Sequence, residues 1–173
     1  MGKKGQSAVE FAVIIPTLFI FFYAVLEFSL LFVNDQRVSA LSREISNAAF
    51  RDCGGLASDK IAACTADIVD EVSGRADGIL RDFSGQGRVI VSVFGPDPQS
   101  QSNPPAVKML ARESAGGGGF STSYSSGGID ASLIANQGVV VVGEAFYPYE
   151  PLTPLKQLLD AVLPTELYEA TIY

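Results

Sequence analysis

Two glutamates are the groups in this chain whose setting demands a chemical reason. Glu10 stands five residues after Gly5, at the edge of a long apolar run, and Glu27 lies inside that run. A carboxylate within lipid costs about 3 kcal/mol on insertion scales, so it persists where it finds a partner. For Glu10 the chain itself can supply one. If it is cut after Gly5, Gln6 becomes the new N-terminus and carries an ammonium. Glu10 then lies four residues along, on the same helix face. Its carboxylate can pair with its own N-terminus or with that of a neighbouring subunit. The blander alternative is a glutamate resting among lipid headgroups. Glu27 follows Phe11 by sixteen residues, about 24 Å along a helix, which places it in the outer part of a bilayer. At about 100° per residue the two glutamates face different directions, so they form no dyad. Glu27 is expected to contact a partner helix or a lipid headgroup.

The element that must position both is the stretch Phe11 to Val33, 23 residues with one charge. At about 1.5 Å per residue it reaches roughly 34 Å, enough for a hydrocarbon core of about 30 Å. A cleaved secretory signal has an apolar region of only about 7–15 residues. The run is therefore too long for one, although Val38-Ser39-Ala40 resembles a signal-peptidase site. Lys3 and Lys4 precede the span with no acid before them. The positive-inside rule puts the N-terminus in the cytoplasm and everything after Asn34 outside. Pro16 removes one helical N–H and is expected to kink the helix near residues 12–16. Neighbouring helices can accommodate such a break in a membrane.

Residues 34–173 carry ten Lys/Arg against seventeen Asp/Glu, a net charge of −7. That surface disfavours nucleic acid and anionic lipid as main partners. The length suits one core. Val38, Leu41, Ile45 and Ala48 continue a helical stripe beyond the membrane, so one helix is expected from about Ser7 to Phe50. Gly54-Gly55 ends it. A second amphipathic helix is expected over Ser58–Phe83, N-capped by Ser58, with Ile61, Cys64, Ile68, Val72, Ala76, Ile79 and Phe83 as its stripe. Asp67, Asp70 and Glu71 on that helix could bind metal or do acid–base chemistry. Such clusters are far more often a solvated face.

Arg88–Phe94, Gly138–Tyr147 and Leu167–Tyr173 read as strands, rich in β-branched and aromatic residues. Leu155–Leu163 reads as a short helix closed by Pro164. The fold class is α+β: helices on one face of a small antiparallel sheet. Residues 95–128 form a long irregular excursion, Pro-rich at its start and Gly/Ser-rich at its end, with a helical turn over Val107–Glu113. It reads as a flexible loop. The Gly116–Gly119 run lacks the Gly-Lys-Ser/Thr of a phosphate loop. Cys53 and Cys64 both lie outside the membrane, where an oxidising compartment favours a disulfide. Closing so short a loop stabilises by about 3 kcal/mol in the chain-entropy model. The chain has no histidine, and two cysteines alone do not complete a zinc site. No metal and no cofactor are expected.

Ala8-Val9-Glu10-Phe11-Ala12, Ile15-Pro16, Leu26-Glu27-Phe28 and Ser42-Arg43-Glu44 occur here in an order and spacing that resembles the TadE-like proteins. These are minor pilins, or pseudopilins, of the tight-adherence (Tad) pilus, a type IVb system. Val139–Val141 and Tyr147–Pro151 extend the resemblance more loosely, and about a third of the chain carries it. It implies a prepilin leader over residues 1–5, cut between Gly5 and Gln6 by a prepilin peptidase. It further implies a membrane and assembly helix over residues 6–35, with Glu10 directing assembly, and an outer α+β domain over residues 36–173. The partners implied are that peptidase, other Tad pilins and the inner-membrane assembly platform. The location implied is the inner membrane, then the pilus or cell surface. A competing reading is an uncleaved single-pass membrane protein with a periplasmic binding or scaffolding domain. An enzyme is disfavoured, because the sequence offers no convincing nucleophile–base pair, metal cluster or cofactor loop.

Overall fold

The computed structural model describes residues 3–152 and 162–173, with residues 3–9 described as helical backbone only. The helix expected over Leu155–Leu163 lies, as far as residue 161, outside the described residues. The chain forms two compact units. One comprises Met1–Asn34 with Tyr149–Thr165, the other Asp35–Pro148 with Glu166–Tyr173. The helix α1 runs over Lys3–Cys53, about a turn beyond the expected helix at either end.

In the second unit, α2 (Ser58–Ala76) and a short α3 (Phe83–Gln86) lead to strand β1 (Arg88–Pro96). Strand β2 (Val107–Ala115), helix α4 (Ala131–Gln137), β3 (Val140–Pro148) and β4 (Glu166–Ile172) follow. The four strands form one antiparallel sheet in the order β2-β1-β3-β4. β1 and β3 are central, which is why their β-branched residues are buried almost without interruption.

Directly paired residues share a face of the sheet. Val89, Val91 and Val93 therefore share one face with Ala145, Gly143 and Val141. The outer part of α1 packs there, burying Val38, Leu41, Ile45 and Ala49. Gly143 permits the approach, because a Cβ there would run into Ser46 Oγ and Ile45. Buried serines hold the contact. Ser42 Oγ lies 3.0 Å from the Gly143 carbonyl and 2.8 Å from the Thr171 hydroxyl, and Ser46 Oγ donates to the Ser42 carbonyl at 2.7 Å. Helix α2 covers β1 and β2 with Ile61, Ile68, Val69 and Val72. The Cys53–Cys64 disulfide ties the end of α1 to α2, with Cα atoms 5.8 Å apart. Arg75 also pairs with Glu44, but both side chains are largely exposed, so the pair contributes about 0–1 kcal/mol.

The opposite face carries Ile90, Ser92 and Phe94 with Glu144, Val142 and Val140. Phe94, Val140 and Val142 pack with Ile129 and Ile134, and Tyr124 and Val107 close over them. Asp130 caps α4 by accepting the Ser132 N–H at 2.9 Å. Gly138, at φ 79°, ends it, in a left-handed conformation that glycine adopts without strain.

Four sequence expectations are corrected here. Val107–Glu113 is strand, not helical turn: β2 pairs along the free side of β1, with a bulge at Val93/Phe94. The ladder bonds offered by an apolar neighbour override the helix preference of Lys, Met, Leu, Ala and Arg. The second helix ends at Ala76, not Phe83. Beyond it, Leu80 and Phe83 turn into the core while Ile79 stays 43% exposed, and Asp77 accepts the Ser84 N–H at 2.6 Å. The N-cap of α2 is Ala57, with no side-chain cap, and Ser58 is already helical. The glycine run, read as part of a flexible loop, lies backbone against backbone on residues 84–87. Gly117 N–H donates to the Ser84 carbonyl at 2.7 Å and Gly118 N–H to that of Gly87 at 3.1 Å. A Cβ at Gly116 or Gly117 would collide with those backbone atoms.

Candidate functional site

In the first unit, α1 inverts the usual distribution of side chains. Between Glu10 and Asn34 the single buried residue is Glu27, while Phe11, Val13, Phe21 and Val25 are each more than 60% exposed. A helix solvated by lipid has this pattern, because its apolar surface needs no cover and its charge does. The helix contains a window of mean hydropathy 2.2 with only 6% of it buried. It is long and apolar enough to cross a membrane, which is compatible with a single-pass protein. Thr17 Oγ1 donates to the Val13 carbonyl at 3.0 Å and Ser29 Oγ to that of Val25 at 2.8 Å. Both hydroxyls are thus satisfied by the helix itself, as a lipid phase requires. Helix α1 is continuous through Pro16.

Glu27 is covered by the segment that follows β3. The Tyr149 hydroxyl donates to Glu27 Oε1 at 2.6 Å and also lies 3.2 Å from the Glu27 carbonyl. The Leu152 N–H donates to the same Oε1 at 3.1 Å. Tyr149 is 5% exposed, and its N–H donates to the Thr165 carbonyl at 3.0 Å. Burial, and then the bond to Glu27 and its charge, hold the Tyr149 hydroxyl well above the ordinary tyrosine range. It therefore remains a neutral donor. Pro148 and Pro151 bracket this contact, fixing φ and contributing no N–H that would need a partner.

Gly5 and Gln6 lie in the first turns of α1, and Glu10 is exposed on the same helix. Cys53 and Cys64 are joined in the second unit. Asp67, Asp70 and Glu71 lie on the exposed side of α2, where Glu71 is 3.5 Å from Arg75. Two polar features escaped sequence reasoning. Tyr149 and Leu152 reach Glu27 across more than 120 residues, and no local pattern reports that pairing. Glu144 is wholly buried on β3, where it accepts the Tyr168 O–H at 3.0 Å and the Ser123 N–H at 3.3 Å. One charge amid Val140–Phe146 was a readable signal for it.

Residues 5–46 match the model of one protein family, described as TadE-like protein. No curated protein matches the chain, and no solved structure does. The matched residues hold Glu10, Glu27 and the serines that seat α1 on the sheet. Over its membrane-length helix, this chain is similar to the TadE-like proteins, a family associated with the Tad pilus.

Proposed function

We propose that this chain is a minor pilin, or pseudopilin: a membrane prepilin cut between Gly5 and Gln6, then used to prime or build a Tad-type pilus. Glu10 carries this reading. It stands at the head of an apolar helix, five residues after a glycine that closes a basic leader. A plain anchor has no use for a carboxylate at that register. After cleavage, the ammonium of Gln6 lies one helical turn away, so Glu10 can bond to its own amine or to a neighbour's. In lipid, such a pairing offsets the cost of both charges and sets the axial register of adjacent helices.

The exposed apolar side chains of α1 fit the same role. Phe11, Leu18, Phe22 and Val25 are exposed. They would face lipid before assembly and other pilin helices afterwards. The leader lysines would keep the N-terminus in the cytoplasm and place the second unit outside. The Tyr149 and Leu152 bonds to Glu27 lie within the chain, so pairing between subunits rests on Glu10. We read the role as structural rather than catalytic. Partner pilins, the peptidase and the assembly platform follow from the family resemblance.

The deciding experiment is the intact mass and N-terminal sequence of the protein recovered from host membranes. A chain that begins at Gln6 supports processing and filament assembly. A chain that retains Met1 or Gly2, in cells with an active prepilin peptidase, overturns the proposal and leaves an uncleaved anchor.

A further inference from the structure

We infer that the segment Tyr149–Leu152 is a second membrane contact, seated in the interface of the leaflet opposite the N-terminus. The inference rests on α1 as a membrane span, and depth follows from Glu27. That residue lies six positions before Val33, the last of the apolar run, or about 9 Å inside its end. The Leu152 N–H is 3.1 Å from Glu27 Oε1, so the segment is held at that level. Leu152 is apolar and 67% exposed. Val162, three residues before the Thr165 carbonyl that accepts the Tyr149 N–H, is 71% exposed.

Backbone entering a lipid interface must have its donors satisfied. From Pro148 to Leu152, the two prolines have none, Tyr149 donates to Thr165 and Leu152 donates to Glu27. Among the described residues, that leaves one N–H of these five, that of Glu150, without a partner. Glu150 is exposed and charged, so its carboxylate has to reach from that level outward to the headgroups, near which tyrosine is also favoured. The occupant is therefore lipid: headgroups around Tyr149 and Glu150, upper acyl chains around Leu152.

The chain contains no tryptophan, so one introduced indole reports its surroundings without background. The full chain would be reconstituted in phosphatidylcholine vesicles containing bromine-labelled acyl chains. Leu152→Trp and Val162→Trp are the tests, Phe22→Trp is the reference within the span, and Ile79→Trp is the reference in the second unit. The expected result is emission from Leu152→Trp shifted to shorter wavelength than that of Ile79→Trp. It should be quenched most by bromine near the headgroups, whereas Phe22→Trp is quenched most by deeper bromine. If Phe22→Trp is quenched while Leu152→Trp and Val162→Trp match Ile79→Trp, the membrane contact is overturned and the span stands. If Phe22→Trp itself is unquenched, the span falls and the inference with it.

Discussion

Replacing Tyr149 by phenylalanine isolates the hydroxyl bond that joins the segment after β3 to Glu27. The ring is retained, so packing around a residue only 5% exposed is nearly unchanged. What is lost is a hydroxyl 2.6 Å from Glu27 Oε1. A hydrogen bond to a charged group contributes about 1.5–3 kcal/mol, and one between neutral groups about 1 kcal/mol. The assay is amide hydrogen exchange at Leu152, whose N–H donates to the same oxygen. If the hydroxyl holds the segment closed, Tyr149→Phe lowers the free energy of local opening by that amount. Exchange at Leu152 then accelerates roughly 10- to 150-fold for an ionised Glu27 and about fivefold for a neutral one. Glu27→Gln keeps an acceptor oxygen and should show a smaller acceleration. The double variant should fall short of the product of the two, because both act on one bond. Exchange at Leu152 unchanged by Tyr149→Phe, or strictly multiplicative effects, would refute the hydroxyl as the closure.

Gly143→Ala places a methyl against Ser46 Oγ and Ile45. It should destabilise the second unit by about 1–3 kcal/mol in denaturant titration, as overpacking does, and an unchanged midpoint would count against that crossing. Reducing Cys53–Cys64 should shift mobility on a non-reducing gel and cost about 3 kcal/mol of stability. Tyr168 is 40% exposed as a residue, but its hydroxyl, 3.0 Å from the buried Glu144 carboxylate, is raised above the ordinary tyrosine value of about 10 by desolvation and then by Glu144. A group whose folded pKa is raised stabilises below its unfolded pKa and loses that contribution as pH climbs through the folded one. Stability should therefore fall above about pH 10. Tyr168→Phe, which cannot ionise, should show a shallower decline over that window in chemical denaturation.

What local chemistry encodes was legible without coordinates. A run of 23 residues with one charge is long and apolar enough to cross a membrane, because lipid selects on apolar length. Cys53 and Cys64 are the chain's two cysteines, both placed outside the membrane, where an oxidising compartment favours the disulfide that joins them. The β-branched strands announced themselves because both of their faces had to be buried. Tertiary structure decided the rest. β2 is a strand because β1 had a free edge to be paired, and its own residues argued for helix. Gly116–Gly119 read as flexible because glycine is flexible alone, yet a missing Cβ is also what lets one backbone lie on another. Glu27 was visible as a costly charge. That Tyr149 and Leu152 of the same chain would bond to it was not. Such bonds depend on where the fold returns the chain, and no spacing along the sequence records that.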